Sequence, residues 1–283
     1  MVCFDHTRVT LQSGDSLEET GDYIHANYLH LDKTKANYIA CQAPLPTTIC
    51  DFWRMIWQEN VQAIVMLCDI IECGKKKCEE YFPTASNRMM SFGNFSLTSQ
   101  KQYEIEKGLR GNEIEIMYKN ETKKVMHFHW YSWPDKGVPD NYLMCLRVMN
   151  KAMVCKPPIV VHCSAGVGRT GTIVTIDYLM CKLQKESTTP TLKSIVLELR
   201  DCRHKFVQVD LQYLYIHRVI LSYALQKGII NGESAVLWLE DYNAAVHRLA
   251  DADTSVKKAR KPALKSRIML NKSIYDTGSV KKK

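Results

Sequence analysis

Several features are scarce in this 283-residue chain, and each absence argues against a class of protein. The longest apolar stretch, "VQAIVMLCDII" at residues 61–71, is too short to cross a bilayer as a helix, which needs about 20 apolar residues. The first residues, "MVCFDHTRV", lack the apolar core of a secretory signal peptide. Eleven cysteines occur without paired spacing or CxxC repeats. We therefore expect reduced thiols and a cytoplasmic location, with the nucleus as an alternative.

The sequence also lacks the residue spacing of a metal site and an excess of basic residues in its first 254 residues. The His and Cys residues do not have the spacing of zinc ligands, so we expect no metal and no other cofactor. The formal net charge of +8 comes from residues 255–283, where ten Lys and Arg face one acid, Asp276. The other 254 residues carry 28 basic and 29 acidic side chains, so the core has no charge suited to nucleic acid. We expect a disordered basic tail that contacts anionic membranes or acidic partners.

Hydrophobic periodicity predicts an α/β domain. Short apolar runs predict buried strands at 63–67 and 158–162, and two paired strands at 114–118 and 124–131. Helical spacing follows from residue 51, after Gly168, and at 189–200 and 209–225. The helix after Gly168 is predicted to be amphipathic, with Ile173, Ile176, Met180 and Leu183 on its apolar face. We predict one domain over 1–228, an amphipathic helical extension over 229–254 and the basic tail over 255–283.

The stretch "IVVHCSAGVGRTGTIV" at residues 159–174 has two interpretations. Gly166, Gly168 and Gly171 form a G-x-G-x-x-G pattern, which occurs in dinucleotide-binding folds. Such a fold needs a further parallel strand after the helix, ending in an acidic residue. Here the helix leads into polar "KESTTPT" and then another helix, so this interpretation is weak. A Walker loop is excluded because no Gly-Lys-Ser/Thr follows.

The same stretch also places Cys163 six residues before Arg169 on one loop. Amides of Ser164, Ala165, Gly166, Val167 and Gly168 can converge on one anion, and the helix that follows adds its positive end. Arg169 can hold two oxygens with its planar guanidinium. The same field favours the thiolate form of Cys163, the form that attacks phosphorus. We expect His162 to fix the loop by hydrogen bonding and Thr170 to reach the sulfur with its hydroxyl. A buried structural cysteine beside a capping arginine is the plain alternative.

These residues resemble a known family. "VHCSAGVGRTG" is similar to the active-site loop of the protein tyrosine phosphatases, and six further blocks follow in that family's order. They are "DYIHANYL", "YIACQAPLP", "DFWRMIWQENV", "IVMLCDIIECGKKKCEEYFP", "FHWYSWPDKGVPD" and "VQVDLQYLYIH". The resemblance covers about residues 2–227 and implies a twisted mixed β-sheet flanked by α-helices. It also implies hydrolysis of phosphotyrosine in proteins through a phosphocysteine on Cys163.

The resemblance assigns further roles. Asp135 of "WPD" matches the acid that protonates the leaving phenol and then activates water. Gln208 and Gln212 match a pair that positions this water, and they share one helical face. Glu72 matches the acid that holds Arg169, and Lys77 the lysine that contacts the acid loop. Arg203 resembles an arginine that braces the active-site loop.

Four departures from the family pattern accompany the likeness. His25 stands where Asn is usual, Ala43 replaces a Gly, and Val209 replaces a Thr. The family's helical leader and a Lys-Asn-Arg-Tyr segment, whose Tyr stacks on the substrate, are expected just before "VCFDHTRV". The sequence therefore predicts a domain without its leader. Two alternatives to the phosphotyrosine phosphatase follow: a weak or inactive domain that binds phosphotyrosine, and a phosphatase for other phosphoesters. The oligomeric state stays open.

Overall fold

The computed structural model describes residues 1–13, 21–30, 38–134, 137–185 and 190–249. The strands are β1 Arg8–Thr10, β2 Tyr23–Leu29, β3 Tyr38–Cys41, β4 Ala63–Met66, β5 Ile71–Glu72, β6 Lys75–Lys76, β7 Met89–Phe92, β8 Phe95–Glu106, β9 Leu109–Tyr118, β10 Glu121–Trp130 and β11 Ile159–His162. The helices are a 3-10 turn Asp5–Thr7, α1 Ile49–Gln58, α2 Met144–Ala152, α3 Arg169–Lys185, α4 Leu192–Cys202 and α5 Asp210–Gln226.

Within the described residues, nine strands form one mixed sheet in the order β1-β2-β3-β11-β4-β10-β9-β8-β7. The central strands β3, β11, β4 and β10 are parallel, and the outer pairs are antiparallel. The parallel strands β3, β4 and β11 are buried along their whole length, as expected for strands covered on both faces. The predicted mixed sheet and the pairing of the strands at 114–118 and 124–131 are thereby confirmed.

The helix α3 is a core element, and its predicted amphipathic pattern is wrong for most of its length. Every residue from Arg169 to Leu179 is buried, while Leu183 is 40% exposed. The helix packs against β11 and against α2, α4 and α5, so it has no solvent face until its last turns. Residues such as Thr172 and Thr175 are small enough to be buried among those neighbours.

The chain divides into two compact units, Met1–Gln226 and Lys227–Lys283. In the second unit residues 232–249 are helical, and the rings of Trp238 and Tyr242 stack with centroids 5.4 Å apart. The predicted basic tail, residues 255–283, lies outside the described residues. The predicted domain limits stay predictions. In the part of the chain that the structure describes, no helix is both long and apolar enough to cross a membrane.

Candidate active site

The candidate site is built on a strand-loop-helix unit at the centre of the sheet. Strand β11 ends at His162, and α3 begins at Arg169. The residues between, 163–168, form a tight loop that we call the phosphate loop. At its centre Gly166 has φ +68°, and a Cβ there would lie 1.9 Å from the carbonyl oxygen of Cys41. The loop can therefore pass over the end of β3 only with glycine at this position.

The carbonyl groups of the phosphate loop are bound on its outer side. The Ser164 carbonyl accepts a hydrogen bond from the Ala43 N–H at 2.9 Å. The Val167 carbonyl accepts one from the Val207 N–H at 3.0 Å. Because each peptide unit points its carbonyl and its N–H in opposite directions, these contacts leave the loop amides available on the inner side.

Arg203 completes this outer set of contacts. It directly follows α4 and is fully buried. Its Nε donates to the Gly166 carbonyl at 2.6 Å, and Nη2 donates to the Ala165 carbonyl at 3.3 Å. From the other side, Nη1 donates to Asn27 Oδ1 at 2.7 Å, and His25 Nδ1 lies 3.2 Å from Nη2. Arg203 thus ties the phosphate loop to strand β2.

The inner side of the loop holds the Cys163 sulfur. The Gly166 N–H donates to Cys163 Sγ at 3.2 Å. Cys163 is 5% exposed, at the point where β11 ends and close to the start of α3. Amide donors and a helix N-terminus together stabilise negative charge, so this place suits a thiolate or a phosphate group.

Arg169 is held by a carboxylate from the two-stranded sheet β5-β6. Its Nη1 and Nη2 donate to the two carboxylate oxygens of Glu72 at 2.5 and 2.8 Å, and Nη1 also donates to the Leu67 carbonyl at 2.8 Å. Both side chains are at least nine-tenths buried. Burial on its own lowers the pKa of Arg169, but the hydrogen bonds and charge of Glu72 outweigh it and raise the pKa overall. The guanidinium is therefore cationic and fixed in orientation before any ligand binds.

The two predicted glutamines lie against the phosphate loop. A Cβ at Gly168 would lie 2.9 Å from Gln212 Nε2 and 3.2 Å from Gln208 Oε1. The Gln208 N–H donates to Gln212 Oε1 at 3.0 Å, which orients the Gln212 amide at the start of α5. Both side-chain amides therefore reach the same side of the loop.

His162 is part of a buried chain of hydrogen bonds that was not predicted from the sequence. The Tyr81 hydroxyl lies 2.6 Å from His162 Nε2 and 2.7 Å from His127 Nε2, and His162 Nδ1 lies 3.1 Å from the Cys163 carbonyl. Burial lowers the pKa of His162 to about 4, so this ring is neutral at physiological pH. Its Nδ1 is within hydrogen-bond distance of the backbone of the loop. Tyr81 lies in the block "EEYFP", but its contact with His162 spans 81 residues and has no local signal.

The remaining predicted residues are placed less completely. The Thr170 hydroxyl is buried without a hydrogen-bond partner in the described structure, so the expected bond to the Cys163 sulfur is not formed. Lys77 is half-buried, and its carbonyl accepts from Ser164 Oγ at 3.0 Å. Asp135, the predicted acid, lies outside the described residues. Among those that are described, no group of three or more His, Cys, Asp or Glu could hold a metal ion.

Comparison with known proteins is consistent with this geometry. The sequence model of the protein-tyrosine phosphatase family matches residues 1–222, and the chain belongs to that family. It is 39% identical to receptor-type tyrosine-protein phosphatase eta of Mus musculus over 226 residues, which are 77% of this chain and 18% of the relative. It is 38% identical to human tyrosine-protein phosphatase non-receptor type 12 over 224 residues, 77% of this chain and 28% of that protein. The chain therefore spans less than a third of these relatives.

A solved structure agrees at the level of the fold. The catalytic domain of human protein tyrosine phosphatase non-receptor type 18 superposes with a TM-score of 0.71 at 34% identity. The match covers 78% of this chain and 81% of that one. The predicted fold class, a twisted mixed sheet flanked by helices, is confirmed.

Proposed function

We propose that this chain hydrolyses phosphotyrosine in proteins, in two steps, through a phosphocysteine on Cys163. The observation that carries the proposal is the convergence around its sulfur. The Gly166 N–H donates to Sγ, the loop carbonyls are turned outward, and Arg169 is fixed at the end of the same loop. Such a set of donors can bind a phosphate dianion. A thiolate at the centre of these donors is then placed to attack the phosphorus atom of the bound phosphate.

The first step transfers the phosphoryl group to sulfur. The Cys163 thiolate attacks phosphorus, an S–P bond forms, and the P–O bond to the phenol breaks. Loop amides and Arg169 neutralise the charge on the three equatorial oxygens. By family resemblance, Asp135 gives its proton to the leaving phenolate. A tyrosine phenolate is a poor leaving group, so this proton is worth about 10²–10⁴-fold in rate.

The second step returns the enzyme to its starting state. Water attacks phosphorus, the P–S bond breaks and inorganic phosphate leaves. Gln208 and Gln212 reach the side of the loop beside Gly168, where they can orient this water. Asp135, now a carboxylate, takes the proton from the water. The thiolate leaves readily, because the Gly166 N–H stabilises it.

Replacement of the nucleophile tests the proposal most directly. Cys163→Ser is expected to lower turnover of an aryl phosphate by at least about 10³-fold while phosphopeptide binding is kept, because the donors of the loop remain. Cys155→Ser, which changes a partly buried thiol elsewhere in the fold, is the control. If Cys163→Ser turns over at the original rate, the proposal is wrong. If the unaltered chain binds phosphopeptide without turnover, it is a binding domain.

The role of Asp135 has its own test. Asp135→Ala is expected to slow phosphotyrosine hydrolysis by about 10²–10³-fold. An aryl phosphate whose phenol is already acidic needs no proton and is slowed much less. Steady-state rates with both substrates measure the difference. Equal slowing of the two substrates excludes Asp135 as the general acid.

A further inference from the structure

His25 lies directly behind the phosphate loop, in contact with the arginine that holds it. It lies on β2 and is half-buried. Its Nδ1 faces Arg203 Nη2 at 3.2 Å, and the same Nη2 donates to the Ala165 carbonyl. One arginine nitrogen is thus shared between His25 and the phosphate loop.

The protonation state of His25 follows from the chemistry of its partner. A guanidinium has only donors, so an atom in hydrogen-bond contact with it has to accept. The other partners of Arg203 are the carbonyl oxygens of Ala165 and Gly166 and the side-chain oxygen of Asn27. All of these groups are neutral acceptors. His25 therefore completes the set only as a neutral imidazole with its proton on Nε2.

We propose that His25 is a positioning residue whose neutral imidazole orients Arg203, so that protonation of His25 loosens the phosphate loop and weakens its hold on an oxyanion. The inference rests on the proposed function, because it assumes that the loop is the phosphate site. It adds that the site is sensitive to acid through a residue that does not touch the substrate. Protonation removes the acceptor from Nδ1 and places two cations in contact.

The direction of the titration agrees with this geometry. Burial first, and the charge of Arg203 second, lower the pKa of His25. The imidazole is therefore neutral at neutral pH, and protonation begins only as the pH falls below about 6.5. The folded site favours the neutral form, so the constraint on Arg203 is present above that pH and lost in acid.

Three of the titratable groups around this pair stay neutral in the range where His25 is expected to titrate. The chain's terminal amino group faces His25, while Cys3, Tyr23, Cys41 and Cys163 bear on Arg203. The pKa values of Cys3, Tyr23 and Cys41 are raised, each mainly by burial, so these groups stay neutral in acid. Cys163 belongs to the proposed reaction and is removed from the experiment below.

The test measures sulfate binding in two variants that lack the thiol. Sulfate stays a dianion between pH 5 and 7.5, so the ligand itself does not titrate. In Cys163→Ser, affinity for sulfate is expected to fall about fivefold or more from pH 7.5 to 5, as a second cation displaces Arg203. In Cys163→Ser combined with His25→Asn, an acceptor remains that cannot be protonated, and the fall is expected to be less than about twofold. Equal pH dependence in the two proteins overturns the inference.

A second measurement decides the matter if a variant does not fold or if sulfate does not bind. In the unaltered chain, ¹⁵N NMR of the His25 ring reports its tautomer and its titration directly. The inference requires the Nε2–H tautomer at pH 7.5 and protonation at a lower pH than an exposed histidine. An Nδ1–H tautomer, or a ring already charged at pH 7.5, overturns it. Absence of sulfate binding in Cys163→Ser, by contrast, contradicts the proposed function.

Discussion

The phosphate loop is held by two buried arginines, one with an anionic partner and one with neutral partners. Arg169 is paired with the carboxylate of Glu72, which raises the pKa of the arginine despite burial. Arg203 is hydrogen-bonded to two carbonyls, an amide and an imidazole, and burial lowers its pKa. The first arginine has its charge locally balanced. The second directs an unbalanced positive charge toward the loop from behind.

The two arginines differ in their partners, and we infer that they have different roles in the phosphate loop. Arg169 supplies a rigid donor pair at the entrance of the helix, and Glu72 sets its orientation. Arg203 supplies the shape of the loop by holding the Ala165 and Gly166 carbonyls outward. We therefore expect a substitution of Arg169 mainly to lower turnover, and a substitution of Arg203 to lower both turnover and stability.

The largest effect on turnover is expected at Arg169. Arg169→Lys keeps the charge but loses the planar pair of donors, and kcat/KM for an aryl phosphate should fall about 10³-fold. The midpoint of thermal unfolding should change little, because Glu72 keeps a cationic partner. The exposed pair of Arg147 and Glu106 offers a control, Arg147→Lys, that should leave kcat/KM unchanged. If kcat/KM of Arg169→Lys falls by less than tenfold, Arg169 does not stabilise the transition state.

A smaller loss of turnover, joined to a loss of stability, is expected at Arg203. Arg203→Met removes the arginine donor from the Gly166 carbonyl and from Asn27 Oδ1, and unfolding free energy should fall by about 3 kcal/mol. Turnover of the folded fraction should fall about 10²-fold. Urea denaturation and steady-state kinetics measure the two effects. Unchanged stability contradicts the role of Arg203 as a brace.

The smallest of the three effects on turnover is expected at Glu72. Glu72→Gln keeps the shape and one acceptor for Arg169, but it loses the second acceptor and the charge. We expect kcat/KM to fall only about tenfold, while the unfolding free energy falls by about 3 kcal/mol because the buried Arg169 loses its counter-charge. The comparison of the two arginines predicts that this effect is additive with Arg203→Met, because the two contacts share no atom. Strong non-additivity in the double variant indicates one network instead of two.

The sequence predicted those parts of the molecule whose signal is local. The strands at 63–67 and 158–162 are short apolar runs, and both were found in the parallel centre of the sheet. The helix α3 was placed correctly, but its burial was not, because burial depends on the four elements packed around it. Cys163 and Arg169 share a loop and were recognisable together. The roles assigned to them, and to Asp135, stay predictions.

The contacts that could not be predicted from the sequence join residues that lie far apart along the chain. Asn27 and His25 meet Arg203 across 176 and 178 residues. Tyr81 reaches His127 and His162 in the same way. No periodicity or spacing reports such contacts, since they depend on which strands become neighbours in the sheet. The presence of His25 in place of the usual Asn was visible, but its meaning was not until Arg203 was placed beside it.

The link from β2 to Arg203 has a consequence for the order of assembly. Thr7 donates to the Cys202 carbonyl across 195 residues, next to the contact between Asn27 and Arg203. A ribosome adds about 5–20 residues per second from the N-terminus. The first strands therefore wait for at least about 10 seconds, at the fastest of these rates, until the residues that shape the phosphate loop are made. Contacts of such long range also form slowly after synthesis. The nascent chain can thus build separate parts of its sheet early, but its phosphate loop is completed among the last parts of the fold.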